Sequence, residues 1–271
     1  MLERLKQYLL PMAKEGIALA FSGGTDSALL LKVLADMRQD NDFPVAALTM
    51  HTVLQSGEEI DEAKDFAEHL GIRQRILSFN PFGLEAVANN RTDRCYHCKR
   101  AIFETFLQSA AEMGLKYIID GTNADDLQVY RPGRKALKEL GIISPLAELG
   151  ISKVEIRKMS AELGLKTATK PAVPCLATRF EYNTKIDEDK ILQAENGEKL
   201  LKQLLPNIDN LRLRIHGNLA RIEVSAESIP DAVVKYQEIC RGLKALGFDY
   251  VTLDLEGFRS GSMDIGLKNG D

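Results

Sequence analysis

The sequence predicts an α/β protein, a doubly wound parallel sheet followed by a smaller α/β domain. Three observations predict it. Strand-like and helix-like segments alternate through the first half, a Gly-Gly loop sits between the first strand and its helix, and near residue 170 the regular pattern gives way to a proline-bearing stretch. Such alternation is what a parallel sheet requires, because each parallel crossover needs a long return, usually a helix.

The elements follow in order. "GIALAFSGG" is an apolar run ending in Gly23-Gly24 and reads as a buried strand, and "TDSALLLKVLADM" continues with helical spacing. "PVAALTM" is a second buried strand, "GEEIDEAKDFAEHLG" a helix closed by Gly71, and "IRQRILSF" a third strand. "RCYHCKRAIFETFLQSAAEMGL" reads as a long helix whose first turns carry Cys95 and Cys98, and "KYIIDGTN" as a fourth strand. These make a first domain over 1–170. "TKPAVPCLATRF" has two prolines and no clean periodicity, the mark of a linker. Beyond it come a helix, "DEDKILQAENGEKLLKQL", and two alternating strands, "NLRLRIHG" and "LARIEVS", about a Gly217-Asn218 turn. A helix, "IPDAVVKYQEICRGLKALG", and a strand, "YVTLDLEG", complete a smaller domain over 171–271.

Composition bounds the function. A chain of 271 residues with 45 % hydrophobic content supports a proper core. Lys+Arg 35 against Asp+Glu 39, a net charge of −4, speaks against a general nucleic-acid binder. The opening "MLERLKQYLLPMAKEG" is amphipathic and charged throughout, unlike a signal peptide, and no apolar run is long enough to span a bilayer. The expectation is a cytoplasmic protein without a membrane partner. Thiols stay reduced there, so a CxxC points to metal binding or catalysis before a disulfide.

The loop Ser22-Gly23-Gly24-Thr25-Asp26-Ser27 is the first candidate site. Two glycines let the backbone turn tightly and bring its N–H groups close to an anion. The following helix N-terminus adds partial positive charge, and the hydroxyls add donors. No lysine of the GxxxxGK[ST] kind is present, so this is not the usual NTPase loop.

The cysteines are the second. Cys95 and Cys98, one helical turn apart, project from one face and suit one metal or cluster; His97 between them points away. Cys175 follows Pro174, which restrains an otherwise mobile loop, and Arg179 nearby favours a thiolate. Two readings stay open here: one shared site, or separate buried thiols. Cys240 in "YQEICRGL" occupies an apolar helix position and reads as core. Arg212 and Arg214, two apart on a strand, share a face and suit a phosphate or carboxylate; the alternative is an exposed strand face with ordinary charges. His216 before Gly217 reads as a turn residue.

"SGGTDS" matches the SGGxDS signature of the PP-loop ATP pyrophosphatases, which split ATP into AMP and pyrophosphate. "IIDGTNADD", with Gly121, Thr122, Asn123, Asp125 and Asp126, and "RPG", Arg131 to Gly133, resemble the segment that closes over the nucleotide in that superfamily. The resemblance implies an adenine nucleotide alpha hydrolase-like fold. It also implies ATP bound by Ser22, Gly23, Gly24, Thr25, Asp26, Ser27, Gly121, Asn123, Asp125 and Arg131, with Asp26 needed for catalysis. Asp125 and Asp126 either hold Mg²⁺ on the pyrophosphate or cap the next helix. Lys153 and Arg157 read as solvated helix charges.

Nearly the whole chain is similar to the pyridinium-3,5-biscarboxylic acid mononucleotide sulfurtransferases, which install sulfur in the nickel-pincer cofactor of lactate racemase. "SGGTDS", "PCLATRF" and "LRLRIHGNLARIEV" carry that similarity. It implies substrate contacts from Arg212, Arg214, Glu223 and Asp231, a sulfide or other sulfur donor, and a homo-oligomer. Some members sacrifice the sulfur of the residue matching Cys175 and lack the CxxC. Others have three cysteines and resemble cluster-dependent tRNA thiolases. The three cysteines here imply a 4Fe–4S cluster on Cys95, Cys98 and Cys175, with an iron open to exogenous sulfide. Sacrificial use of Cys175, a tRNA thiolase and a non-catalytic nucleotide sensor are the alternatives.

Overall fold

The computed structural model describes residues 1–55, 57–128, 131–171, 173–208 and 210–264. The chain divides into two units. The first is Met1–Leu84 with Asp93–Val173; the second joins Glu85–Thr92 to the chain from Pro174 on.

The first unit opens with α1 (Leu2–Ala13), β1 (Ile17–Ala20), α2 (Thr25–Asp40), β2 (Val45–His51), α3 (Gly57–His69) and β3 (Arg73–Ser78). The chain then leaves for α4 (Glu85–Ala88), which belongs to the second unit. It returns with α5 (Arg94–Glu112), β4 (Tyr117–Ile119), α6 (Gly133–Glu139), α7 (Pro145–Glu148) and α8 (Lys153–Glu162). The sheet runs β3-β2-β1-β4 and every pairing is parallel, the doubly wound arrangement the alternation predicts. Helices cover both faces. Leu5 and Leu9 of α1, Leu30 and Leu34 of α2, and Ile156 and Met159 of α8 share one core with Ile17 and Leu19. Phe103 and Phe106 of α5 and Leu137 of α6 share the other with Ala18, Ala46 and Leu48. Burial on both faces is why β1 and most of β2 are near-continuous apolar runs rather than alternating ones. Chain order proceeds outward from β1 to β3 and then restarts at β4 on the other side of β1. Such a reversal leaves a crevice beyond the carboxyl ends of β1 and β4, where open parallel sheets take their ligands.

The second unit continues with α9 (Glu188–Leu204), β5 (Arg212–His216), β6 (Leu219–Glu223), α10 (Ile229–Val234), α11 (Tyr236–Ala245) and β7 (Tyr250–Leu253). Its sheet has the order β5-β6-β7, with β5 and β6 antiparallel and β6 and β7 parallel. The single helix expected from Ile229 onward is broken at Lys235, whose φ of −93° and ψ of 14° leave the helical region. The early segment is fastened here by Asn90, which is fully buried. Its side-chain Nδ2 donates to Phe180 O at 3.2 Å and Glu181 O at 2.8 Å, and its backbone carbonyl accepts from the Asn183 N–H at 3.0 Å. Among the described residues no helix is long and apolar enough to cross a membrane.

Candidate active site

The loop Ser22–Ser27 leaves β1 at its carboxyl end and runs into α2 at Thr25, with Gly24 as the helix N-cap. Gly23 has φ +71°, the left-handed region that only glycine enters cheaply, and a Cβ there would lie 3.0 Å from the Ala63 Cβ of α3. The Ser22 and Ser27 hydroxyls lie 3.2 Å apart, and Ser22 Oγ accepts from the Gly24 N–H at 3.4 Å. Ser27 Oγ in turn donates to Gly24 O at 3.2 Å. The loop is therefore braced by its own hydroxyls at the positive end of a sixteen-residue helix. Thr25 is different. It is buried and its hydroxyl donates to Thr167 O at 2.8 Å, so that donor is spent inside the protein.

β4 delivers the second side of the crevice. A Cβ on Gly121 would stand 3.1 Å from the Ser27 nitrogen and 3.2 Å from the Asp26 Cβ, so glycine is what lets the two segments meet. Asn123 donates from Nδ2 to Asp26 Oδ2 at 3.4 Å, and its Oδ1 accepts from the N–H groups of Asp125 and Asp126 at 2.9 and 3.2 Å. The tertiary structure thus gathers Ser22, Asp26, Ser27, Gly121 and Asn123. Asp125 accepts from the Lys153 N–H at 2.9 Å at the start of α8. Asp126 accepts from the Asn123 N–H at 3.1 Å and pairs with Arg131 at 2.8 Å. Both carboxylates therefore hold backbone donors in place.

Two lysines complete the crevice. Lys153 does not extend into solvent as its sequence context predicts: its Nζ lies 2.6 Å from Asp26 Oδ1. The parallel fold brings the first turn of α8 back over the loop, and an isolated Asp26 would otherwise face desolvation alone. Lys170 Nζ lies 2.6 Å from Glu62 on α3 and 3.5 Å from Gly23 O. Sequence inspection passes over Lys170, and no local signal marks it.

Cys95 is exposed and Cys98 half-buried on the first turns of α5, and none of the four cysteines forms a disulfide. His97 pairs with Asp93 at 3.2 Å, one turn back on the helix. Cys175, in the second unit, is exposed and opens the short turn Leu176–Arg179. Its carbonyl accepts from the Thr178 N–H at 3.0 Å and hydroxyl at 2.7 Å. Arg179 is 1 % exposed. Its guanidinium grips Glu198 at 2.7 and 3.1 Å and donates to Pro174 O at 3.3 Å and Thr178 Oγ1 at 2.8 Å. It braces the cysteine loop from below. Cys240 is half-buried on α11. Among the described residues no three His, Cys, Asp or Glu side chains gather as a metal-ligand group.

Arg212 and Arg214 do not lie on an ordinary solvated strand face. Arg214 is buried, donating from Nε to Glu223 Oε2 at 2.9 Å and from Nη1 to Thr178 O at 3.1 Å. Glu223 is wholly buried, with Arg221 Nη2 3.3 Å from its other oxygen. Arg212 lies over the Phe258 ring, 5.4 Å from its centre. Burial holds both guanidiniums below their ordinary pKa, and for Arg212 the nearby Arg179 cation acts in the same direction. A cluster of partly desolvated guanidiniums favours an anionic ligand. Asp231 stands exposed in the first turn of α10. His216 is more than a turn residue: Nδ1 lies 2.8 Å from Glu181 and Nε2 accepts from Arg221 Nε at 3.1 Å.

Comparison with known proteins places these features in a lineage. A PP-loop domain family model matches residues 1–128. An uncharacterised protein of Synechocystis sp. is 39 % identical over 97 % of this chain and 96 % of its own length. The pyridinium-3,5-bisthiocarboxylic acid mononucleotide synthase of Lactiplantibacillus plantarum is 37 % identical over 92 % of this chain and 88 % of its own. An uncharacterised protein of Methanocaldococcus jannaschii is 30 % identical over 90 % and 91 %.

Proposed function

Because the chain belongs to the PP-loop family of ATP-dependent sulfurtransferases that includes its Lactiplantibacillus relative, we propose that it adenylates a carboxylate of pyridinium-3,5-biscarboxylic acid mononucleotide and converts it to a thiocarboxylate. The observation that carries this reading is the braced Ser22–Ser27 loop at the carboxyl ends of β1 and β4, with Asp26 and Lys153 paired beside it. A substrate carboxylate oxygen attacks the α-phosphorus of ATP; the new O–P bond replaces the bond to pyrophosphate. The loop N–H groups and the α2 N-terminus stabilise charge on the departing pyrophosphate; Mg²⁺, which Asp125 or Asp126 would hold, would supply further charge neutralisation. Sulfur then attacks the acyl carbon and AMP leaves with the C–O electron pair. Arg212 and Arg214 hold the mononucleotide's anionic groups, and Glu223 keeps Arg214 oriented.

The sulfur chemistry is part of the same proposal. The residues that would hold a 4Fe–4S cluster with one iron open are Cys95 and Cys98, one helical turn apart on α5, together with Cys175. When bound, such a cluster supplies sulfide for transfer. The test is anaerobic: purified protein with ATP, Mg²⁺, sulfide and the carboxylated mononucleotide. Pyrophosphate release dependent on that nucleotide, with a product heavier by an oxygen-for-sulfur exchange, is the expected result. Pyrophosphate released equally without it, or not at all, overturns the assignment.

A further inference from the structure

Lys170 is fixed in place more firmly than its partner. The backbone carrying it is held by three bonds: Thr25 Oγ1 of the phosphate loop donates to Thr167 O at 2.8 Å, the Lys170 N–H closes a turn onto Thr167 O at 3.1 Å, and Arg157 Nη2 of α8 donates to Lys170 O at 3.4 Å. Its side chain is 20 % exposed, and the ammonium reaches Gly23 O in the middle of the anion-binding loop. The carboxylate it holds, Glu62, is 64 % exposed on α3. An exposed carboxylate on a long side chain is released at little cost to water. The crevice therefore carries two lysines, Lys153 and Lys170, each neutralised by one carboxylate. A polyphosphate carries several negative charges, and opening either pair gives it a partly buried ammonium to bind. Glu62 is the more exposed of the two acids, 64 % against 23 % for Asp26, and so the easier to displace.

We infer that Lys170 is a nucleotide-binding residue that exchanges Glu62 for the pyrophosphate end of ATP, with Glu62 acting as a placeholder counter-ion. This rests on the ATP assignment above. It makes Lys170 a determinant of ATP over AMP, because AMP lacks the phosphates that would draw the ammonium away.

Isothermal titration of the full chain with α,β-methylene ATP and Mg²⁺, and separately with AMP, tests it. Lys170→Met is expected to raise Kd for the analogue by about tenfold or more, the loss of one charge-assisted contact, and to shift the AMP Kd less than about twofold. Lys170→Arg should restore most of the affinity. Glu62→Gln leaves the lysine in place and removes only its competitor, so it should bind the analogue more tightly than wild type. Equal affinity of wild type and Lys170→Met for the analogue overturns the inference, as does an equal loss toward AMP or weaker binding by Glu62→Gln. Wild-type protein that binds no analogue overturns the ATP assignment and this inference with it.

Discussion

Replacing Arg179 with methionine removes one half of an ion pair that the second unit has taken out of water. Arg179 is 1 % and Glu198 9 % exposed at the side chain, and two hydrogen bonds of 2.7 and 3.1 Å join them. Methionine fills much of the stem's volume, so the main loss is electrostatic: Glu198 keeps the Leu213 N–H, at 3.1 Å, and the more distant attraction of Arg212 and Arg214 against its desolvation. Breaking a buried pair from one side costs about 3–5 kcal/mol. In a unit of about a hundred residues each kcal/mol lowers Tm by roughly 4–8 °C, so the transition should fall by roughly 12 °C or more. The double variant Arg179→Met with Glu198→Leu removes the stranded charge as well. What remains is an unsatisfied Leu213 N–H, costing about 1–3 kcal/mol, so the double variant should be more stable than the single one. Calorimetry of the full chain measures the transition, and hydrogen exchange at β5 and β6 amides identifies the unit that opens. A drop below about 4 °C, or a double variant less stable than Arg179→Met, refutes the argument.

Other perturbations separate chemistry from folding. Ser22→Ala combined with Asp26→Ala should abolish pyrophosphate release while leaving the melting transition nearly unchanged, because Ser22 is exposed and Asp26 only half-buried; an active double variant would remove the loop from the mechanism. Gly121→Ala places a Cβ 3.1 Å from the Ser27 nitrogen, so the loop must shift by a few tenths of an ångström. Nucleotide affinity should fall with little loss of Tm, and unchanged affinity would show that the close approach is dispensable. Each of Cys95→Ala, Cys98→Ala and Cys175→Ala should lose the broad iron–sulfur absorbance after anaerobic reconstitution, whereas Cys240→Ala keeps it. Mass spectrometry of the Cys175 peptide after turnover should find an intact cysteine; loss of the mass of H₂S would mean sacrificial use instead.

The phosphate loop was legible in the chain because everything it needs is contiguous. An apolar strand, two glycines and a helix start fix its backbone, and the ligands are the backbone itself. The same holds for β1 and β2, whose apolar residues announce burial on both faces, whereas β3, RQRILS, is largely exposed or half-buried. Charges were less legible. Lys153 stands 127 residues from Asp26 and Lys170 147 from Gly23, and nothing local distinguishes either from the solvated lysines of any helix. Arg179 was readable as a cation beside Cys175, and Arg212 and Arg214 as a pair suited to an anion, but Arg179 and Arg214 were not readable as buried braces for Glu198 and Glu223. The membership of Glu85–Thr92 in the second unit was not readable, since Asn90 finds its carbonyl partners 90 and 91 residues away. Local sequence determines backbone conformation and the alternation of apolar faces, because those depend on neighbours within a few positions. Which carboxylate neutralises which cation, and whether that cation is wet, depends on distant segments arriving at one point, and only the tertiary structure decided it.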